Sequence, residues 1–291
     1  MILQPSSSGF LSIGEPVIPP CPDLPPSLAP SLPSSLALER HGDVAVLSLN
    51  RPAKRNALDE ATIAGLGAFF AAPPPWAMAA VLAAEGAHFS AGLDLGELTV
   101  RDAVGGLHHS RGWHEAMDRI GHGVLPVIAV LKGAVIGGGL ELAAAAHLRV
   151  AEESAFFAFP EGSRGLFVGG GASVRVSRLI GAQPMIDMML TGRVLTAAEG
   201  EARGLVDYRV AEGDGITKAL ALARQVIGNS PIANYAVLHA LPRIADADAE
   251  TGLLLESLMS AVAQSSTEAK ARIQDFLDGR AAKVGPPGAA R

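Results

Sequence analysis

The chain holds a single cysteine, Cys21, in 291 residues, so it can form no disulfide within itself and fits a reducing compartment. It also lacks an excess of positive charge. Lys and Arg number 23 against 29 Asp and Glu, a formal net charge of −6, and that balance does not favour nucleic acid or an anionic membrane. No uninterrupted apolar run reaches membrane-spanning length, because the candidate around 131–151 carries Lys132, Glu141, His147 and Arg149. No Lys or Arg precedes Arg40, which excludes a secretory signal with a positive n-region and an Arg-rich transit peptide. Repeats of solenoid length are absent as well. What remains is a chain expected to be cytoplasmic, 49% apolar, and long enough to bury a large core as one domain with an appendage.

Residues 1–36 hold nine of the 20 prolines and eight serines. That composition cannot offset the entropy of ordering and reads as a flexible leader, or as sequence ahead of a later start, with no function assigned. Residues 37–200 read as an α/β body. Asp43–Leu49, Ala79–Ala83 and Pro126–Leu131 are strand-like, and Asp59 is placed to cap a helix that carries Ile63, Leu66 and Phe69–Phe70 inward. A polar helix is predicted over about 107–121, and further strands over about 147–151 and 206–210. Residues 201–291 read as an added helical layer.

Two glutamates on a glycine frame carry the chemistry. Gly137-Gly138-Gly139-Leu140-Glu141 puts a turn without Cβ atoms at the start of an apolar helix, where backbone N–H groups can approach a ligand oxygen. Glu141 falls in the first helical turn, where the dipole favours a carboxylate. Glu161 follows a strand-like stretch and Pro160, so it can project from a turn into the same cleft. Paired carboxylates beside oriented N–H donors can move protons next to a developing oxyanion.

At four places the residues resemble the crotonase (enoyl-CoA hydratase/isomerase) superfamily. Leu49–Asp59 resembles its first signature and His88–Leu95 its second. Gly137–Glu141 and Pro160-Glu161 resemble its third and fourth, in the expected order, and the likeness covers roughly 38–285. The resemblance implies a spiral of repeated ββα units with a C-terminal helical trimerisation region, hence a homotrimer or a dimer of trimers. It implies an acyl-CoA substrate whose thioester oxygen is held by the N–H groups of Leu93 and Gly138. Glutamates at both 141 and 161 resemble the hydratase branch, which adds water syn across a trans-2-enoyl-CoA. By that analogy Glu141 activates the water and Glu161 supplies the proton to C2. No metal or redox cofactor is implied, since coenzyme A is part of the substrate. Ala57, Ala91, Asp94, Leu95, Gly137, Pro160 and Gly169 are expected to border the substrate.

The sequence departs from the family in two segments. Gly96 stands where many relatives have a lysine near the CoA phosphates, so nucleotide contact would lean on Lys54 and Arg55, and on Lys283 from the C-terminal tail of a neighbouring subunit; Lys54-Arg55 also reads as an ordinary surface pair. Glu161–Val168 lacks the Leu-rich, Pro-ended form of short-chain hydratases, and it borders the acyl chain. The alternatives are isomerisation, C–C or thioester cleavage through the same enolate, or a non-catalytic acyl-CoA-binding scaffold. Three further motifs point elsewhere only weakly. Gly169–Gly171 lacks a P-loop ending, and Gly162-Ser163-Arg164-Gly165 misses the nucleophile-elbow spacing. His108, His109, His114 and Glu115 match no zinc signature.

Overall fold

A computed structural model describes residues 32–97 and 100–280. Strands β1 (Leu36–His41) and β2 (Val44–Leu49) pair antiparallel across Gly42, whose φ of +68° suits a tight turn. Helix α1 (Glu60–Ala71) starts where the Asp59 side chain accepts from Thr62 N at 2.8 Å, and it stops ahead of Pro73–Pro75. Then come β3 (Ala79–Ala84), α2 (Ala103–Gly121), β4 (Val127–Leu131), β5 (Ala134–Ile136), α3 (Gly138–Ala145), β6 (Leu148–Glu152) and β7 (Phe156–Ala158). The chain continues through α4 (Ala172–Ile180), α5 (Ala182–Thr191), β8 (Leu195–Thr196), α6 (Ala197–Ala202) and β9 (Tyr208–Val210). It ends in α7 (Gly215–Ile227), α8 (Pro231–Tyr235), α9 (Leu241–Asp246), α10 (Ala249–Ser265) and α11 (Thr267–Leu277).

Among the described residues the strands form two sheets. One has the order β1-β2-β3-β4-β6-β9 and is parallel except at β1; the other is β5-β7-β8. The large sheet is covered on both faces, which is why its strands read as continuous apolar runs rather than alternating ones. Ala45, Leu47, Leu49, Ala80 and Leu82 join the core under α1, α2 and α3, while Val44, Val46, Val81, Ile128 and Val150 pack on Ala219, Leu222 and Ala223 of α7.

The sequence does not reveal β1, β5 or β8. β1 exposes four of its six residues along an edge, and β5 and β8 span three and two residues, too few for a period to show. Helix α2 begins at 103 rather than about 107, because Asp102 accepts from Gly105 N at 2.7 Å and caps it there. Residues 32–36, read with the leader, are structured. Leu32 packs on the core, Leu36 is buried, and the buried Ser35 hydroxyl accepts from Thr62 Oγ1 at 2.8 Å. Residues 1–31 and Lys283 lie outside the described residues.

Arg149 ties β6 to the turn before β9. Its guanidinium, 3% exposed as a residue, donates to Leu205 O at 2.9 Å and Ala146 O at 2.8 Å and pairs with Asp207 at 2.9 Å. Replacing it by Met strands two buried carbonyls and a carboxylate. Arg149→Met is therefore expected to lower stability by about 3–5 kcal/mol in urea unfolding. A loss below about 1 kcal/mol would contradict that anchoring role.

Candidate active site

The segment 89–94 follows β3 and is laced to two neighbours by its backbone. Phe89 N donates to Lys132 O at 2.8 Å, Ser90 N to Ala134 O at 2.9 Å, and Ile136 N returns to Ser90 O at 3.0 Å. On the other side Ala91 N donates to Arg55 O, Leu58 N to Gly92 O and Asp94 N to Leu58 O, at 2.8–2.9 Å. In a parallel bridge of this kind the residue between two bonded neighbours turns its own N–H the other way. That residue is Leu93. Among the described residues its N–H has no acceptor, and neither has that of Gly138, the first amide of α3.

Glycines bring these two amides together. Gly137 turns the chain with φ +52° and ψ −121°. A Cβ on Gly138 would stand 3.5 Å from Leu93 N but only 2.8 Å from the Trp113 ring, and one on Gly92 would meet Ile136 O at 2.7 Å. No larger residue fits at 92 or 138 without moving the wall.

Asn56 secures the lacing. It adopts φ +53°, accepts from Arg51 N at 2.8 Å, and donates to Glu85 O and His88 O at 2.8 Å each. Ser90 Oγ donates to Asn56 O at 2.8 Å and accepts from Gly92 N at 3.1 Å.

Glu141 lies in the fully buried helix α3 and is 4% exposed. Its Oε1 accepts from Gly170 N at 2.7 Å and Ala172 N at 3.2 Å, at the N-terminus of α4, where amides and dipole favour an anion. Gly170 makes room, since a Cβ there would stand 2.9 Å from Glu141 Oε2. Burial raises the Glu141 pKa above its ordinary 4.5, and it outweighs the amides and Arg175, which lower it.

Glu161 enters from a short 3-10 turn, Glu161–Arg164, directly after Pro160. Its Oε1 lies against Gly137, 2.5 Å from where a Cβ would be, and its Oε2 is buried without a partner among the described residues. Burial first, and then the charge of Glu141, lift its pKa from 4.5 to about 7.

Both glutamates and both free amides border one cavity of about 470 Å³. Of the residues singled out from sequence, Ala91, Leu93, Leu95, Gly137, Gly138, Glu141, Pro160, Glu161 and Gly169 line it. Lys54, Arg55, Ala57 and Asp94 do not. Asp94 turns away to bind Arg51 at 2.7 Å, Lys54 at 3.2 Å and Gly96 N at 3.0 Å, and the Arg51 hydrogen bond is the main cause that holds its pKa at about 2. Asp94 thus anchors the loop rather than bordering the cavity, because the same register that aims Leu93 N–H inward aims its neighbour outward.

The sequence reading missed one wall of the cavity, made by His109, Ser110 and Trp113 of α2. Ser110 Oγ donates to Gly169 O at 2.6 Å and fixes that helix to the glycine turn. The 3–4 spacing of Ser110, Trp113 and Met117 was the available signal, though it also describes an ordinary core stripe. The histidines diverge: His109 Nδ1 lies 3.7 Å from Glu60 and His114 Nε2 lies 3.5 Å from Ser110 Oγ. Among the described residues no group of three His, Cys, Asp or Glu is gathered for a metal ion, and no helix is long and apolar enough to cross a membrane.

An α/β spiral with this topology and a helical C-terminal region is the fold of the crotonase superfamily. Within it the chain belongs to the enoyl-CoA hydratase/isomerase family, whose model matches residues 39–285. A crystal structure of a Rhodopseudomonas palustris CGA009 protein assigned as an enoyl-CoA hydratase is 56% identical, with a TM-score of 0.83 over 85% of this chain and 96% of that one. The enoyl-CoA hydratase EchA19 of Mycobacterium tuberculosis is 33% identical over 70% of this chain and 79% of its own length. The 2,3-dehydroadipyl-CoA hydratase of Escherichia coli is 30% identical over 85% and 97%.

The raised pKa of Glu161 has a consequence for stability. Between pH 4.5 and about 7 the folded chain keeps a proton on Glu161 that the unfolded chain has released. The native state then binds more protons, so stability falls as pH rises through that window. Glu161→Gln removes the term. Its Tm is expected to exceed that of the parent at pH 8 and to match it at pH 4.5; equal differences at both values would contradict the burial of this carboxyl.

Proposed function

We propose that the protein hydrates trans-2-enoyl-CoA thioesters to 3-hydroxyacyl-CoA. The observation that carries this reading is the meeting of two amides with no acceptor among the described residues, Leu93 and Gly138, with the buried Glu141 and the half-buried Glu161 in one cavity. The thioester oxygen would sit between the amides, which stabilise the enolate as negative charge moves onto that oxygen; one such donor is worth about 2.7–4 kcal/mol of barrier elsewhere. Glu141, held by the α4 amides, orients water and takes its proton as the oxygen attacks C3. Glu161, protonated up to about pH 7, delivers a proton to C2 on the same face. Because the two carboxyls feel each other's charge, their proton belongs to the pair. The named relatives support hydration over isomerisation, which the cleft amides would equally serve.

Glu141→Gln and Glu161→Gln are each expected to lower kcat by about 10²–10⁴ on crotonyl-CoA, read as loss of enoyl-thioester absorbance, with folding intact. Full activity in either would sink the assignment. The pair must carry one proton, so kcat/KM in the parent is expected to fall as pH rises above about 7. A profile flat to pH 9 would contradict Glu161 as the proton source.

The subunit is further proposed to form a trimer or a dimer of trimers through α10. Leu254, Leu258 and Val262 repeat every fourth residue there and are 60, 55 and 49% exposed, an apolar stripe uncovered in the single chain. Light scattering is expected to give three or six subunits, and a monomer at micromolar concentration would refute this.

A further inference from the structure

The cavity holds one charged group that the proposed hydration leaves without a task. Arg164 closes the 3-10 turn that begins at Glu161, three residues on, so it stands about 6 Å further along the same wall. It lines the cavity beside Leu166 and Phe167, and among the described residues it makes no ion pair and no side-chain hydrogen bond.

The other charged groups of the lining are occupied. Arg101 pairs with Glu60 at 3.2 Å, Asp102 caps α2 through Gly105 N at 2.7 Å, and the two glutamates serve the reacting carbons. His109 also faces Glu60. Arg164 is therefore the cation of this lining that is free to meet a ligand.

We infer that the acyl group this site prefers ends in a carboxylate, held by Arg164. The inference rests on the hydratase reading for the orientation of the thioester. A second carboxylate brought near Glu141 and Glu161 would be repelled unless a cation met it, and a guanidinium binds a carboxylate with two parallel N–H donors. The apolar neighbours Leu166 and Phe167 line the same part of the cavity and can cover the methylenes between the reacting carbons and that end.

The test compares saturated adipyl-CoA and hexanoyl-CoA by isothermal titration, so that binding is read without turnover. The parent protein is expected to bind adipyl-CoA about tenfold more tightly, the low end of what a charge-assisted pair gives in a half-open cavity. Arg164→Leu is expected to erase that preference through the adipyl-CoA affinity alone, and Arg164→Lys to keep part of it. Equal affinities in the parent, or equal weakening of both ligands by Arg164→Leu, would overturn the inference; the second result would mean that Arg164 serves the shared CoA moiety. Turnover of trans-2-hexenoyl-CoA and of 2,3-dehydroadipyl-CoA is measured alongside. Absence of turnover on both would refute the hydratase reading while the binding comparison still decides the role of Arg164.

Discussion

Two backbone N–H groups with no acceptor among the described residues, both bordering one cleft, are the constraint around which the rest is arranged. Leaving such a group unpaired costs about 1–3 kcal/mol, so a chain relaxes to pair it unless something prevents that. Here both neighbours of Leu93 are bonded into a bridge with Leu58, and Gly138 is the first amide of a helix whose residues are buried throughout. The amides cannot turn aside without breaking those bonds. Preorganisation of this sort is what makes a donor pair useful to a developing oxyanion, since no reorientation is needed as the charge appears.

The same economy of space governs the carboxylates. Glu141 is kept in a buried helix by donating amides from α4, which in turn depend on glycine at 170 to let the carboxylate approach. Glu161 has no partner for its Oε2 among the described residues, and burial, followed by the charge of Glu141, lifts its carboxyl to about 7. Burial pushes both carboxyls above the ordinary glutamate value, Glu161 to about 7, so that protons can be held beside the substrate near neutral pH. Helix α2 completes the enclosure by setting the Trp113 ring against Gly138 and Gly170.

Much of this was legible beforehand. The buried strands β2, β3, β4 and β6 and the capped helix α1 announce themselves by apolar runs and by Asp59, because each is long enough for its pattern to exceed chance. The glycine turns and both glutamates were visible for a different reason: a glycine run at the start of a helix is rarely required by anything but close approach. The family resemblance assigns Lys54 and Arg55 to the CoA phosphates and Ala57 and Asp94 to the border of the substrate; none of the four lines the cavity, and Asp94 turns its carboxylate to Arg51, Lys54 and Gly96 N. Trp113 was hidden because its type and spacing are those of an ordinary core stripe; Arg164 lies in the segment 161–168 expected to border the acyl chain, but its type is that of an ordinary surface charge.

The sequence by itself determined the elements, the glycines that permit close contact, and which carboxylates exist to be used, since these depend on local sterics and on patterns within a few residues. Only the tertiary structure decided that Leu93 and Gly138 present their amides side by side, that Glu141 meets α4 across 29 residues of chain, and that Asp94 turns outward to Arg51. Those outcomes follow from strand register and helix placement, which are settled by the packing of the whole core and cannot be read from any one segment.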